Sequence, residues 1–180
     1  MKNFLLVVLF LLLSKNSFCM EERLSSYKKN KFEVSLSGAF MGGLYPAAEY
    51  SIYFTYDYFF SKNVGFGIGT GYDSFCTPSE GGRAQFENTF PLVLDLRYFY
   101  PLGNSRSSFL IVLNAGGLIN YKGSHSSLQT HLGGIISPQA GFSFELGKYR
   151  KTSLNIRALY KGIYDVEFIS VFGLLLGFNF

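Results

Sequence analysis

The chain ends Phe168-Ile169-Ser170-Val171-Phe172-Gly173-Leu174-Leu175-Leu176-Gly177-Phe178-Asn179-Phe180. Phe168, Ser170, Phe172, Leu174, Leu176, Phe178 and Phe180 fall on one side of a two-residue period; Ile169, Val171, Gly173, Leu175, Gly177 and Asn179 fall on the other. One face is bulky and apolar, the opposite face lighter. That is the pattern of a β-strand touching lipid on one side only. Such a strand belongs in a sheet that closes on itself, because unpaired edge N–H and C=O groups in hydrocarbon cost several kcal/mol each.

The beginning of the chain agrees. Lys2 precedes an apolar run over 4–13, followed by polar Ser14 to Ser17 and then by Glu21, Glu22 and Arg23. This apolar run is too short to span a bilayer as a helix, and a basic flank before an apolar core is the export pattern, so 1–19 is expected to be a signal peptide cleaved after Cys19. Phe18 is bulky where a lipoprotein signal carries a small residue, which argues against lipidation of Cys19.

Removing that signal takes away Lys2 and Lys15, leaving 14 basic against 12 acidic residues and a net charge of about +2. So small a surplus points to no nucleic-acid partner. The anomaly is aromatic: 20 Phe and 13 Tyr without Trp, beside 20 Gly. Aromatic girdles at membrane interfaces and close strand packing against small residues both use that mixture. No charge-dense or Pro/Ser-rich linker divides the chain, so one domain is expected.

Counting alternation finds eight segments, at about 31–41, 48–60, 64–72, 85–100, 108–119, 132–146, 153–161 and 168–180. In the second, Tyr50, Ile52, Phe54, Tyr56, Tyr58 and Phe60 oppose Glu49, Ser51, Tyr53, Thr55 and Asp57; Ser61-Lys62-Asn63 then makes a tight reversal. The third alternates Val64, Phe66, Ile68, Thr70 and Tyr72 with Gly65, Gly67, Gly69 and Gly71, which predicts a crowded interior where neighbouring side chains lie across the backbone. The fifth is apolar on both faces, and Phe109, Ile111, Leu113 and Ala115 are placed outward to keep Asn114 and Gly116 inward. Short turns follow the second, fourth and sixth segments. Longer polar loops are expected at 73–84 and 120–131, with short connections near 42–47 and 162–166.

A soluble lipid-carrying barrel has the same period with its apolar face inward, and volume separates the two. An eight-stranded barrel is only just wide enough for its own side chains or one small ligand, and the large Phe, Tyr, Leu and Ile groups would overfill it. The apolar set therefore faces out. Inward go Glu33, Glu49, Asp57, Glu87, Asp95 and Glu145 with Arg97, Arg157 and Lys161, which must pair or neutralise when buried. A salt-bridged plug is expected, with Glu33 and Glu49 wetted at the two mouths. A narrow channel lined by Asp57, Asp95, Arg97 and Arg157 is the rival reading.

Catalytic signals are sparse. His125 and Ser127 are two apart, a spacing similar to that of the lipid A deacylase barrels, but Gln139 stands where an acid would be needed, and Glu145 lies toward the far end of the strand. Without an orienting acid the imidazole is not held as a base. His125 and His131 have no Asp, Glu or Cys beside them for a metal. Cys76 is the only Cys left after the signal. No catalytic, metal-binding or cofactor-binding residues are expected, and no cofactor.

With signal peptide, eight alternating strands, the Ser61-Lys62-Asn63-Val64-Gly65-Phe66-Gly67 turn and strand, and terminal Phe180, the chain resembles small outer-membrane β-barrels of the OmpX and OmpA-membrane-domain type. It is similar in flavour to the outer-membrane β-barrel domain proteins common in Bacteroidetes. The resemblance implies an all-β, eight-stranded antiparallel up-and-down transmembrane barrel over 31–180, preceded by a periplasmic segment at 20–30. It implies a Gram-negative outer membrane with both termini periplasmic. Implied partners are outer-membrane lipid, the barrel-insertion machinery through the C-terminal strand ending at Phe180, and an external ligand at loops 73–84 and 120–131. The function expected is structural or surface-interacting rather than enzymatic.

Overall fold

A computed structural model describes residues 30–41, 47–78, 84–103, 106–124, 127–146, 152–164 and 168–180. The expected signal peptide, most of the segment at 20–30, and His125 lie outside the described residues. Eight antiparallel strands run β1 (Asn30–Met41), β2 (Ala47–Phe59), β3 (Val64–Pro78), β4 (Ala84–Pro101), β5 (Ser107–Ser124), β6 (Ser127–Leu146), β7 (Thr152–Tyr164) and β8 (Phe168–Asn179). Each pairs with its sequence neighbours and β8 returns to β1, closing the barrel.

Closure is made by the stretch that ends the chain. Glu33 pairs with Asn179, Leu36 with Leu176 and Met41 with Val171. Beyond the last ladder pair, Phe180 N–H donates to Phe32 O at 2.9 Å, and Phe32 N–H donates back to Phe180 O at 3.4 Å. The final aromatic thus zips the seam at the end of the barrel where the described chain begins and ends, called here the terminal end.

Side chains sort as the alternation predicts. Leu36, Phe54, Ile68, Leu94, Leu113, Ile156, Leu174 and Leu176 are exposed on the outer wall. Around this aliphatic belt run aromatics that touch across strands, Tyr160 against Phe172 (4.8 Å between ring centroids) and Tyr72 against Phe90 (5.3 Å) on one side, Phe109 against Phe142 (5.7 Å) on the other. A wall apolar on the outside that encloses buried charges reverses the usual globular distribution and suits a lipid surrounding.

The turn at 61–63 forms as expected, with Ser61 Oγ accepting the backbone N–H of Val64 at 3.0 Å. Between β4 and β5, Gly103 has φ of 61°, a left-handed conformation that costs glycine nothing. The alternating glycines of β3 do make room: a Cβ at Gly65 would enter the Phe59 ring, and one at Gly69 would meet Thr55.

Two expected loops are corrected. Most of 73–84 is strand, since β3 runs to Pro78 and β4 starts at Ala84, with Asp73 paired to Thr89 and Cys76 to Phe86. Most of 120–131 is also strand, with Asn120 paired to His131 and Ser124 to Ser127. Polar side chains alone do not mark irregular chain. A hairpin rising out of a membrane into water keeps its backbone ladder while its side chains become polar, so hydropathy marks where lipid stops and not where pairing stops.

Candidate functional site: the barrel lumen

The lumen is layered along the barrel axis. At the terminal end Phe59, Phe99, Leu110 and Val112 form a buried apolar cluster, with the Phe59 and Phe99 rings 5.7 Å apart. Lys31 lies over both rings, its Nζ 5.2 and 5.3 Å from their centroids. Toward the other end a second cluster gathers Ala39, Phe75, Val93, Leu118, Ile135, Leu159, Ile163, Val171 and Leu175. These clusters add apolar layers to an interior expected to hold a salt-bridged plug. Leu175 falls on the inward side of the β8 alternation, whereas Ile163 lies in the connection expected near 162–166, which is strand as far as Tyr164.

Between these layers lies the first charged group. Arg97 on β4 donates through Nη1 to Glu33 Oε2 at 2.7 Å, through Nε to Asp95 Oδ1 at 2.6 Å and through Nη2 to Thr55 Oγ1 at 2.7 Å. Asp57 Oδ2 stands 3.1 Å from the same Nε. Glu33 also accepts from Arg157 Nη2 on β7 and from Asn155 Nδ2, the latter at 2.6 Å. The four candidate channel residues Asp57, Asp95, Arg97 and Arg157 thus come together, with Glu33 as the hub.

A second group forms around Lys161, whose Nζ donates to Glu49 and stands 3.1 Å from Asp73 Oδ1. Ser51 donates to Glu49 at 2.6 Å, and Tyr53 Oη donates to Asp73 Oδ2 at 2.9 Å. Asp73 is the member the sequence reading missed, because it fell in an expected loop. Had the alternation Tyr72, Asp73, Ser74, Phe75 been followed past the polar residues, it would have appeared on the inner face.

Glu33 and Glu49, expected at wetted mouths, are each only 1% exposed. The reason is reach. Neither acid touches water because Arg97, Arg157 and Lys161 extend long side chains across a narrow lumen to meet them, and their own charges need the partners. Glu145, by contrast, is on β6 near its terminal end, paired to Ser153.

The residues considered for hydrolysis do not assemble. Ser127 begins β6 and Glu145 stands next to its last residue, so they occupy opposite ends of a 20-residue strand. Gln139 points inward and donates to Ser137 Oγ at 3.4 Å. Cys76 is a half-buried free thiol on β3. Among the described residues no cluster of His, Cys, Asp and Glu suits a metal ion.

A closed, eight-stranded, antiparallel barrel with an apolar outer wall and a lumen filled by its own charged and apolar side chains defines the class: this is the fold of the small outer-membrane β-barrels. Neither a protein-family model nor a curated protein matches the sequence. Among solved structures the chain is similar to Neisserial surface protein A, with a TM-score of 0.67 at 9% identity, covering 84% of this chain and 96% of that one. It is also similar to the outer membrane protein OprG from Pseudomonas aeruginosa, with a TM-score of 0.54 at 14% identity and the same two coverages. At such identities the likeness is one of fold.

Proposed function

We propose that this chain is a non-catalytic integral outer-membrane protein with a sealed lumen, its termini in the periplasm, serving envelope structure or surface interaction. The observation that carries the reading is the combination of an apolar outer wall with an interior in which two charge groups are paired and capped by apolar clusters. An open pore would need water along that path, whereas Phe59, Phe99, Leu110 and Val112 close one end. Outer-membrane lipid and the barrel-insertion machinery, through the strand ending at Phe180, are the partners such a protein would meet.

The surface role, which was assigned to loops 73–84 and 120–131, passes to strand extensions. β6 pairs with β7 from Gly134 onward, while Ser127 to Gly133 pair with β5 alone. The β5–β6 hairpin therefore rises above β7, while on its other side β4 stays paired to β5 as far as Glu87 and Lys122, so the β3–β4 and β5–β6 hairpins together form the surface a ligand outside the cell would encounter.

Two experiments test this. In planar bilayers the purified protein should give no steady conductance at any moderate voltage; reproducible single-channel steps would favour the channel reading through Asp57, Asp95, Arg97 and Arg157. An epitope inserted between residues 125 and 126 should bind antibody on intact cells, and one within 147–151 only after permeabilisation. The reverse pattern would overturn the orientation.

A further inference from the structure

We propose that the terminal end of the barrel is a docking surface for anionic phospholipid headgroups, carried by basic side chains on its three turns. The inference rests on the membrane-barrel reading above and adds to it a lipid class and an end. Its first ground is the distribution of charge. The connections between β2 and β3, β4 and β5, and β6 and β7 are four or five residues long. They contain Lys62, Arg106, Lys148, Arg150 and Lys151, with no acid among them. The other end is the reverse: its connections contain Glu80, Asp165 and Glu167 against Arg83.

Charges near the strand ends leave that contrast standing. At the terminal end Lys31 and Glu145 act on each other as opposite charges. Residues 20–29 add Arg23, Lys28 and Lys29 against Glu21 and Glu22, which does not offset the turns. At the other end Glu87 stands in register with Lys122, one charge of each sign.

The second ground is where the turns lie. They are tied to one another through the backbone: Phe99 N–H donates to Asn63 O at 2.7 Å, and Glu145 N–H donates to Arg106 O at 2.8 Å. Arg106 is exposed beside the end of β6, and Leu146 pairs with Thr152 across the connection that contains Lys148, Arg150 and Lys151. The apolar outer wall runs right up to these turns, with Phe60, Leu102 and Leu146 all exposed. Lys62 is two residues beyond Phe60, about 7 Å of extended chain at most. The headgroup layer on each side of a bilayer is about 5–8 Å thick, so the turn falls within it.

Long basic side chains at that depth carry their charge to the phosphates while their stems cover apolar surface. A cluster of four to eight Lys and Arg at a membrane surface is what anionic lipids attract. Turns this short keep the charges at the bilayer surface, which favours a headgroup over a soluble partner.

The test uses the purified full chain folded in phosphatidylcholine vesicles that contain phosphatidylglycerol, with spin-labelled lipids reporting which species occupies the contact shell. Phosphatidylglycerol should be preferred over phosphatidylcholine by about two- to five-fold at low ionic strength. The preference should fall toward parity in about 1 M sodium chloride, where charges are screened beyond about 3 Å. The Arg106→Gln, Lys148→Gln, Arg150→Gln and Lys151→Gln quadruple variant should show no preference at low salt. The milder Lys148→Gln and Lys151→Gln pair should fall between it and the parent. The Arg83→Gln and Lys122→Gln variant, altered at the other end, should keep the full preference. Equal association of the parent with both lipids at low salt would overturn the proposal and leave the basic turns to an acidic soluble partner. A preference that survives in the quadruple variant would overturn the assigned end. Failure of the membrane-barrel reading itself would look different: no motionally restricted lipid of either kind.

Discussion

Arg97 on β4 and Glu33 on β1 meet across the lumen, Nη1 to Oε2 at 2.7 Å, although 64 residues separate them in sequence. Neither β2 nor β3, which lie between them around the wall, supplies a cation to this group. The pair spans the interior and ties opposite parts of the cylinder together.

Replacing Glu33 with Ala should therefore leave Arg97 with Asp57 and Asp95 but strip Arg157 of its carboxylate, since Arg157 pairs with Glu33. Removing one partner of a buried ion pair costs about 3–5 kcal/mol. Urea unfolding of the barrel in lipid vesicles checks this; a loss below about 1 kcal/mol would mean that water reaches the group.

The outer wall makes the opposite prediction. Leu94 is 53% exposed in the middle of β4, between Leu92 and Leu96 on the same face. Leu94→Arg should cost about 2–4 kcal/mol in a bilayer, the figure for a charge on the lipid face near the midplane. In a soluble barrel the same exposed position would tolerate Arg within about 0.5 kcal/mol. Equilibrium unfolding in vesicles distinguishes the two.

Glycines divide by where a side chain would go. A Cβ at Gly141 on β6 would fall against the Ile156 carbonyl and the Arg157 backbone, whereas one at Gly38 on β1 would meet nothing within 4 Å. Gly141→Val should destabilise by at least the roughly 1–3 kcal/mol of an overpacked interior, because backbone cannot swing aside as a side chain can. Gly38→Ala should be neutral or stabilising by up to about 1 kcal/mol. The folded fraction on unheated electrophoresis ranks the two variants directly.

The apolar seal at the terminal end is a packed core in miniature. Phe99→Ala would remove the ring that meets Phe59, and Phe-to-Ala changes in cores cost about 3–5 kcal/mol. The loss should appear as a lower urea midpoint with an unchanged slope. A changed slope instead would mean that the folded lumen had filled with water.

Much of the barrel was written in the sequence. Phe172, Leu174, Leu176 and Phe178 alternate with Val171, Gly173, Leu175 and Gly177, and a strand of period two has only two faces, so one residue's direction sets all the others. The number of strands, their order, the outward apolar set and the inward charges were all local properties of this kind. Even the weakly patterned β5 was placed correctly by keeping Asn114 inside.

The tertiary structure decided what the local pattern does not carry. Alternation put Glu33, Asp57, Asp95, Arg97 and Arg157 on the inner face, but partners across a lumen depend on strand tilt and stagger around the whole cylinder, which exist only once the sheet has closed. For the same reason Glu33 and Glu49 could be read as inward from their neighbours, while their dryness depended on Arg97, Arg157 and Lys161 reaching them from β4 and β7. Strand ends were likewise decided by pairing: Asp73 and Asn120 are polar, yet the backbone opposite them at Thr89 and His131 holds them in the ladder. Side-chain direction is a property of one strand, whereas contact across the interior is a property of eight.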